Sequence, residues 1–417
     1  MDASVKSPLP PRKVVKKRHA SAACVTLTPA VAVAAAAAAA AAAPTPAVAA
    51  TAAAAGLCAY TDANAYRTTD AELAERDRLS TPLLERLRHA AEAHRRVRAA
   101  MRPHIRPGVT TLSVVERLEA TSRALLGADD GLVGGPAFPT GVSLNAVAAH
   151  DTPNPGDAPV VLRRDDVVKV DFGTHVAGRI IDSAWTVTWS ARGRPLLAAV
   201  RAATEAGIAA AGIDARLSAV GGAIQEVMES HEVHLRGDGG GATRVRCVRN
   251  LGGHSIGPYR IHGGKIVPTV RGGGGRTRME EGEVYAIETF GTTGRGVCAE
   301  VPHRTSHYMR ASGGAAAAAA AAAGGWRRPK PRPRSAAAAD LLATIDARHG
   351  TLAFCRRWLA RAGAVDHGAA LAELTADGTL DAYPPLADVA GALTAQFEHT
   401  LVLRPTCKEV LSRGDDY

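Results

Sequence analysis

The sequence predicts an α+β fold, because two kinds of apolar pattern occur in one chain. Helical spacing of apolar residues comes first, at 82–101 and 112–126. Runs rich in β-branched residues follow at 167–188, 283–290 and 395–403. A length of 417 residues and a hydrophobic content of 46% leave room for one large domain with a sizeable core.

The first two helices have identifiable boundaries. The helix at 82–101 stops at Arg102, because the residue before a proline disfavours helical backbone. The helix at 112–126 starts at a cap formed by Thr110 or Thr111, whose hydroxyl can accept a hydrogen bond from a free backbone N–H. Two helices therefore precede the first strong strand pattern.

The later segments alternate between strands and helices. Residues 137–145 contain proline and glycine and are predicted to be a loop that enters a strand. Apolar periodicity predicts helices at 197–211 and 220–230, which lie between the strand runs.

Two low-complexity tracts divide the chain. Residues 1–66 are rich in alanine and basic, and we predict a disordered extension ahead of a catalytic domain at 67–417. Residues 313–339 contain mainly alanine, glycine, proline and arginine and are predicted to be a linker. A helical subdomain inserted in the main domain is predicted to follow, at about 338–380.

Part of the formal net charge of +10 comes from local clusters. Two basic runs can bind RNA, ribosomes or anionic surfaces, or can simply be solvated segments. They consist of Arg12, Lys13, Lys16, Lys17 and Arg18, and of Arg327, Arg328, Lys330, Arg332 and Arg334.

Cysteine usage and hydropathy narrow the class of protein. None of the six cysteines forms a CxxC pair, which argues against a thiolate zinc site, and six are too few for a disulfide scaffold of this length. This favours a reducing compartment, the cytoplasm. The uncharged stretch at 21–61 is mostly alanine with three prolines, so no membrane span is expected. The basic, alanine-rich start is compatible with an organellar transit peptide or with an inert extension.

Two aspartates lie in the clearest predicted hairpin. If it turns at 176–177, Asp171 and Asp182 are equally far from the turn and lie opposite each other on one face. Two adjacent carboxylates resist ionisation unless a cation lies between them. A metal site and a pair of exposed hairpin acids both remain open at this point.

Three more residues could bind a cation. His254 is in a glycine-rich segment, where the backbone can approach a ligand closely, although it could also be an ordinary loop residue. Glu288 and Glu398 are each in a strongly apolar strand, where an unpaired carboxylate is costly. Buried arginine partners are the alternative explanation for these two acids.

Four acids and one histidine suit two hard-to-borderline divalent cations, which together can hydrolyse an amide without a nucleophilic side chain. Spacing alone does not bring these five residues together. The motifs around them closely resemble the type-2 methionine aminopeptidases over about residues 80–417, apart from about 310–340. They include FPTGVSLN at 138–145, AHDTPN at 149–154, VDFGTH at 170–175, GRIID at 178–182, GHSIG at 253–257, YRIH at 259–262, MEEGEVYAIE at 279–288, SHYM at 306–309, GTLAFCRRW at 350–358, YPPL at 383–386, QFEHT at 396–400 and RGDDY at 413–417.

This resemblance implies a pita-bread fold with pseudo-twofold halves, a mostly antiparallel central sheet, and an inserted helical, winged-helix-like subdomain. It implies two divalent metal ions, Co²⁺, Mn²⁺, Zn²⁺ or Fe²⁺, with Asp182 and Glu398 bridging them. The implied metal ligands are Asp171, Asp182, His254, Glu288 and Glu398.

The resemblance also assigns catalytic and substrate-binding roles. His150 and His262 would contact the scissile amide and stabilise its developing charge, and Glu288 would move a proton to the leaving amine. The walls of an apolar methionine pocket would be Phe138, Ile261, His307 and Tyr383, with the two histidines beside them.

The implied function is removal of the initiator methionine from nascent chains whose second residue is small. Nascent N-termini would be the partner, with ribosome contact through the basic segments, no DNA, no membrane and a monomeric state. Gly252 departs from the family, which usually has asparagine there.

Two alternatives share the fold: a nucleic-acid-binding relative that has lost its catalytic ligands, and an Xaa-Pro peptidase. All five ligand positions and both histidines are retained, which favours an enzyme. The match at 138–154 and the inserted subdomain favour the methionine enzyme over the proline-directed one.

Overall fold

The computed structural model describes residues 56–127, 131–234, 241–311, 333–364 and 366–417. Most of the predicted extension and of the predicted linker, with all of their basic residues except Arg334, therefore lies outside the described residues. Within the described ranges, no helix is long and apolar enough to cross a membrane.

Helices and strands alternate along the described chain, as an α+β fold requires. The α-helices are α1 (Ala71–Leu79), α2 (Thr81–Met101), α3 (Thr111–Leu126), α4 (Arg194–Ala210), α5 (Leu217–Met228), α6 (Ala336–Arg348), α7 (Arg356–Arg361) and α8 (Gly368–Ala376), and short 3₁₀ helices span Asp62–Thr68 and Pro302–Arg304. The strands are β1 (Leu57–Ala59), β2 (Gly134–Leu144), β3 (Val147–Ala149), β4 (Val167–Val176), β5 (Arg179–Thr188), β6 (Glu232–Val233), β7 (Thr243–Arg244), β8 (Arg246–Cys247), β9 (Gly252–Ile256), β10 (Ile266–Pro268), β11 (Val284–Thr292), β12 (Ala299–Glu300), β13 (His307–Arg310), β14 (Phe354–Cys355), β15 (Leu380–Tyr383), β16 (Leu386–Ala387), β17 (Thr394–Leu403) and β18 (Cys407–Val410).

The main body consists of two similar halves. In the first half, helices α2 and α3 pack on the antiparallel sheet β2-β4-β5. In the second half, helices α4 and α5 pack on the larger sheet, whose order is β1-β18-β17-β11-β9-β10. Strands β5 and β17 lie side by side where the halves meet. The helices therefore cover one side of the strands and leave the other side free for a site.

The two helices of the first half match the prediction closely. Helix α2 ends at Met101, next to the predicted stop at Arg102. Helix α3 begins after Thr110, whose hydroxyl accepts a hydrogen bond from the backbone N–H of Ser113, as an N-cap does. Gly127 ends it in the left-handed conformation. Local sequence therefore fixes these boundaries.

The hairpin of β4 and β5 turns one residue later than predicted. Val176 pairs with Arg179, so the turn is Ala177-Gly178, and both residues have a positive φ. This is the geometry of a tight hairpin turn that matches strand twist, and glycine adopts it without strain. Asp171 therefore pairs with Ala184, and Asp182 pairs with Gly173. The two aspartates are diagonal neighbours on one face, and the prediction that they lie directly opposite was wrong.

Residues 137–145 were predicted to be a loop that enters a strand, and the loop part was wrong. Residues 137–144 all belong to β2, an edge strand that pairs on one side with β4. Its register shifts between Pro136 and Phe138 and again between Phe138 and Gly141. An edge strand tolerates proline because one row of its N–H groups is not needed for pairing.

The ordered chain also begins earlier than predicted. Strand β1, at Leu57–Ala59, pairs with β18 and extends the larger sheet. The hydroxyl of buried Tyr60 donates a hydrogen bond to the carbonyl of Arg404. The boundary of the extension at residue 66 was therefore too late, because residues from 56 onward are part of the folded body.

The inserted subdomain is shorter in its helices than predicted. Helix α6 begins at Ala336, capped by Ser335, so residues 336–339 are not part of a linker. Strand β14 interrupts the helical subdomain predicted at about 338–380, and α7 and α8 follow as separate short helices. These three helices and the sheet β14-β13-β15 enclose a separate apolar core that includes Phe354 and Leu359.

Candidate metal centre

Five strands position the five predicted ligands. Asp171 is on β4 and Asp182 on β5, while His254, Glu288 and Glu398 are on β9, β11 and β17. Glu288 pairs directly with Glu398, and His254 pairs with Ala286, two residues from Glu288. Alternation along a strand puts residues two apart on the same face, so these side chains point to a common side.

Distances confirm that the five side chains converge. His254 Nε2 lies 3.5 Å from Asp182 Oδ2 and 3.6 Å from Glu288 Oε1. One ligand atom each from Asp182, His254 and Glu398 lie within 4.8 Å of one another. Asp171 and Glu288 are linked through Gln396, whose Nε2 lies 3.1 Å from Asp171 Oδ2 and 3.3 Å from Glu288 Oε2.

The carboxylates of this cluster lack the partners that buried charges need. Glu398 is 1% exposed, and apart from the neighbouring acid Asp182 no hydrogen-bonding group among the described residues reaches its carboxylate oxygens. Asp171 Oδ1 is likewise without a donor. No lysine or arginine of the described chain lies within ion-pair distance of the four acids. An uncompensated buried charge is costly, so these carboxylates require cations from outside the protein.

Electrostatics point the same way. Burial raises the pKa of Asp171 to about 6. Burial, and then the neighbouring carboxylates, raise the pKa of Asp182 and of Glu398 well above their usual range. Burial lowers the pKa of His254 to about 3, so its imidazole is neutral and free to bind a metal. Four oxygen ligands and one neutral nitrogen fit borderline divalent ions.

The two predicted catalytic histidines flank the cluster without joining it. The His262 ring lies 4.6 Å from the His254 ring, edge to face. His150 follows β3 with a φ of 63°, a conformation that non-glycine residues adopt rarely. The Tyr383 ring lies between them, 5.9 Å from His150 and 6.1 Å from His262. Two imidazoles therefore face the space next to the ligands.

The predicted substrate-binding residues form an apolar wall. Ile261 is 8% exposed and packs in one apolar cluster with Phe138 and Tyr383. His307 pairs with Tyr383 across β13 and β15, and its Nε2 lies 3.3 Å from the carbonyl oxygen of Pro139. Burial, and then nearby His150, lower the pKa of His307 to about 3, so this imidazole is also neutral.

All eleven predicted site residues line one cavity of about 880 Å³. Sequence reasoning missed Met309 and Ala353, which line the same apolar side, and Gln396, which bridges two acids. Each is in a recognised motif, but only the folded chain shows which way it faces. Gly252 also lines the cavity, and a Cβ there would lie 2.4 Å from the Val267 carbonyl oxygen. Any side chain at this position would require β10 to move.

Comparison with known proteins agrees with this architecture. A sequence model of metallopeptidase family M24 matches residues 85–315. Methionine aminopeptidase 2A of Arabidopsis thaliana is 50% identical over 358 residues, which is 86% of this chain and 76% of the relative. The structure of a thermophilic Arx1 gives a TM-score of 0.65 at 16% identity, covering 81% of this chain and 92% of that one. Methionine aminopeptidase of Thermotoga maritima gives 0.51 at 19% identity, covering 79% and 96%. The structural matches show a common pita-bread fold, and the sequence matches show that this chain belongs to metallopeptidase family M24 and, within it, to the methionine aminopeptidase 2 family.

Proposed function

We propose that this protein is a metallo-aminopeptidase that removes the initiator methionine from proteins whose second residue is small. The observation that carries the proposal is the cavity of about 880 Å³ in which five metal-ligand side chains, two further histidines and an apolar wall meet. Bound divalent metal ions supply Lewis acidity and make water nucleophilic at neutral pH. The rest of the chemistry belongs to side chains of this chain.

Asp171, Asp182, His254, Glu288 and Glu398 would hold the two ions, and Asp182 and Glu398 would be the ligands common to both. Glu288 holds a proton taken from water and delivers it to the leaving amine. Its carboxylate is placed for this role, since it lines the cavity beside His254. His150 and His262 donate hydrogen bonds to the scissile amide and stabilise the charge that develops there.

The methionine side chain binds against Phe138, Ile261, His307 and Tyr383. A flexible thioether fits an apolar slot with aromatic edges, and the neutral His307 adds no charge to it. Substrates arrive as nascent N-termini in the cytoplasm, and we expect the protein to act as a monomer. Size-exclusion chromatography and co-sedimentation with ribosomes test the oligomeric state and the contribution of the basic segments.

Paired peptides test the activity. The Co²⁺- or Mn²⁺-loaded protein is expected to release methionine from Met-Ala-Ser and to leave Xaa-Pro peptides intact. His254→Ala should abolish turnover while the protein stays folded, whereas His234→Ala, an exposed histidine outside the site, should match the parent. A parent protein that binds no divalent ion and leaves Met-Ala-Ser intact would overturn the proposal, and preferential cleavage of Xaa-Pro would favour the proline-directed alternative.

A further inference from the structure

The two halves of the molecule meet without a backbone ladder. Strand β5 carries Asp182 and strand β17 carries Glu398, and the two strands run alongside each other. They belong to different sheets, and no backbone-to-backbone hydrogen bond joins them in the described part of the chain. The metal ligands are thus divided between two sheets that need another kind of connection.

Buried hydroxyl groups make that connection, and we call Ser183, Thr186, Thr400 and Tyr417 the hydroxyl seam. Thr400 Oγ1 accepts a hydrogen bond from the Asp182 N–H at 2.8 Å and donates to the Asp182 carbonyl at 2.6 Å. In the same way, Thr186 Oγ1 accepts from the Gln396 N–H at 2.8 Å and donates to the Gln396 carbonyl at 2.6 Å. Each threonine therefore uses one hydroxyl to hold both polar groups of a residue on the opposite strand.

The middle of the seam is held by Ser183 and Tyr417. Ser183 Oγ donates to the Glu398 carbonyl at 2.6 Å, and the Tyr417 hydroxyl lies 2.7 Å from that carbonyl and 3.0 Å from Ser183 Oγ. The Tyr417 hydroxyl also contacts the carbonyl of Ala184. The guanidinium of buried Arg98 lies over the Tyr417 ring, 4.7 Å from its centroid. Tyr417 thus reaches backbone groups on both strands at once.

These contacts fix the backbone positions of the residues whose carboxylates form the metal centre. Asp182 and Glu398 belong to the group whose ligand atoms lie within 4.8 Å, and Gln396 bonds Asp171 and Glu288. Carboxylates that repel one another would push the two sheets apart unless something else set their separation. Partners beyond the direct ligands orient metal sites, and their loss typically costs about 10- to 100-fold in affinity.

We propose that the hydroxyl seam is a set of positioning residues that holds the two sheets at the spacing the metal ions require, with Tyr417 as its central member. The inference rests on the proposed function, because it assigns the ions to these strands. The quantity that tests the positioning role is the affinity for metal ions. No catalytic step is assigned to the four hydroxyls. Removing one hydroxyl should weaken metal binding more than it weakens the fold.

Isosteric variants test the inference by calorimetric titration of the metal-free protein with Mn²⁺. Thr186→Val, Thr400→Val and Tyr417→Phe should each raise the Mn²⁺ dissociation constant by about 10-fold or more. The matched control is Thr174→Val, because Thr174 is fully buried on β4 and its hydroxyl bonds, among the described residues, only the carbonyl of Ala90 on helix α2. That variant should lower the melting temperature of the metal-free protein similarly and keep the parental dissociation constant.

The outcomes separate the two proposals. Seam variants that lose melting temperature as Thr174→Val does, yet keep the parental Mn²⁺ affinity, would overturn the positioning role and leave the activity untouched. A parent protein that binds no Mn²⁺ would instead sink the proposed function. If Tyr417→Phe does not fold, Thr186→Val alone still decides the matter, because Thr186 lies at one end of the seam.

Discussion

Two buried glutamates in this molecule have opposite surroundings. Glu398 in the metal centre is 1% exposed, and apart from the neighbouring acid Asp182 no group in the described ranges hydrogen-bonds its carboxylate. Glu119, on helix α3, is fully buried too, but Arg357 donates to its Oε1 at 2.9 Å and Trp358 Nε1 donates to its Oε2 at 2.8 Å. Arg123 is also within ion-pair distance. Glu119 therefore has arginine counter-charges from the protein, whereas Glu398 has none among the described residues.

The difference separates two explanations that the sequence leaves open for a buried acid. Glu119 has arginine partners, and its role is to join the inserted subdomain to helix α3, since Arg357 and Trp358 belong to α7. Arg357 also donates to the carbonyl of Pro153, close to His150 in the chain. Within the part of the chain that the structure describes, the acids of the metal centre have no arginine partners, so their compensation comes from bound cations.

The largest expected effect comes from removing a carboxylate of the metal centre. Glu398→Gln should lower kcat/KM by at least about 100-fold, because a direct ligand matters at least as much as its supporting partners. The free energy of unfolding of the metal-free variant should not fall, since burial and the neighbouring carboxylates raise the pKa of Glu398 well above its usual range, so this carboxyl group destabilises the metal-free fold at neutral pH. Peptide assays and urea denaturation of the metal-free protein measure the two quantities. A loss of several kcal/mol in metal-free stability would mean that Glu398 has a protein partner after all.

Glu119→Gln should show the reverse pattern. It leaves the nearly buried Arg357 without a full counter-charge, which typically costs about 3–5 kcal/mol of unfolding free energy. The Mn²⁺ dissociation constant should stay at the parental value. Glu116→Gln is the matched control, because Glu116 is exposed on the same helix, and surface changes of this kind usually stay within about 0.5 kcal/mol. Loss of metal affinity with unchanged stability would show that Glu119 acts on the metal centre.

Local sequence predicts the ends of those helices whose boundaries depend on a few neighbouring residues. The cap at Thr110 and the stop after helix α2 were confirmed because each depends on a few adjacent residues. Strand β1 was missed because it has only three residues and its partner, β18, is about 350 residues away in the chain. The hairpin turn was misplaced by one residue, although Gly178 signalled the positive φ that such a turn needs.

The metal centre was predicted from motif resemblance, since spacing does not show convergence. Each of the five ligand residues had an alternative explanation by itself. Physical reasoning identified the cost of burying Glu288 and Glu398, and no arginine among the residues that the structure describes offsets it. Gln396 and Tyr417 were part of quoted motifs but received no role, because a supporting side chain is recognised only by the contacts it makes.

The smallest expected effect concerns the hydrogen bond from Trp358 to Glu119. Trp358→Phe removes the indole N–H that donates to Glu119 Oε2 and keeps an aromatic ring in the same place. Because a hydrogen bond to a charged group contributes about 1.5–3 kcal/mol, the variant should lose about 2 kcal/mol of unfolding free energy, less than Glu119→Gln, since Arg357 still pairs with the carboxylate. Urea denaturation measures this loss, and Trp185→Phe is the control. That variant truncates a ring of the same size, but the indole nitrogen of Trp185 bonds no group in the described ranges. Equal losses in the two variants would mean that ring size, and not the bond to Glu119, accounts for the effect, and the arginines alone would then compensate this buried charge.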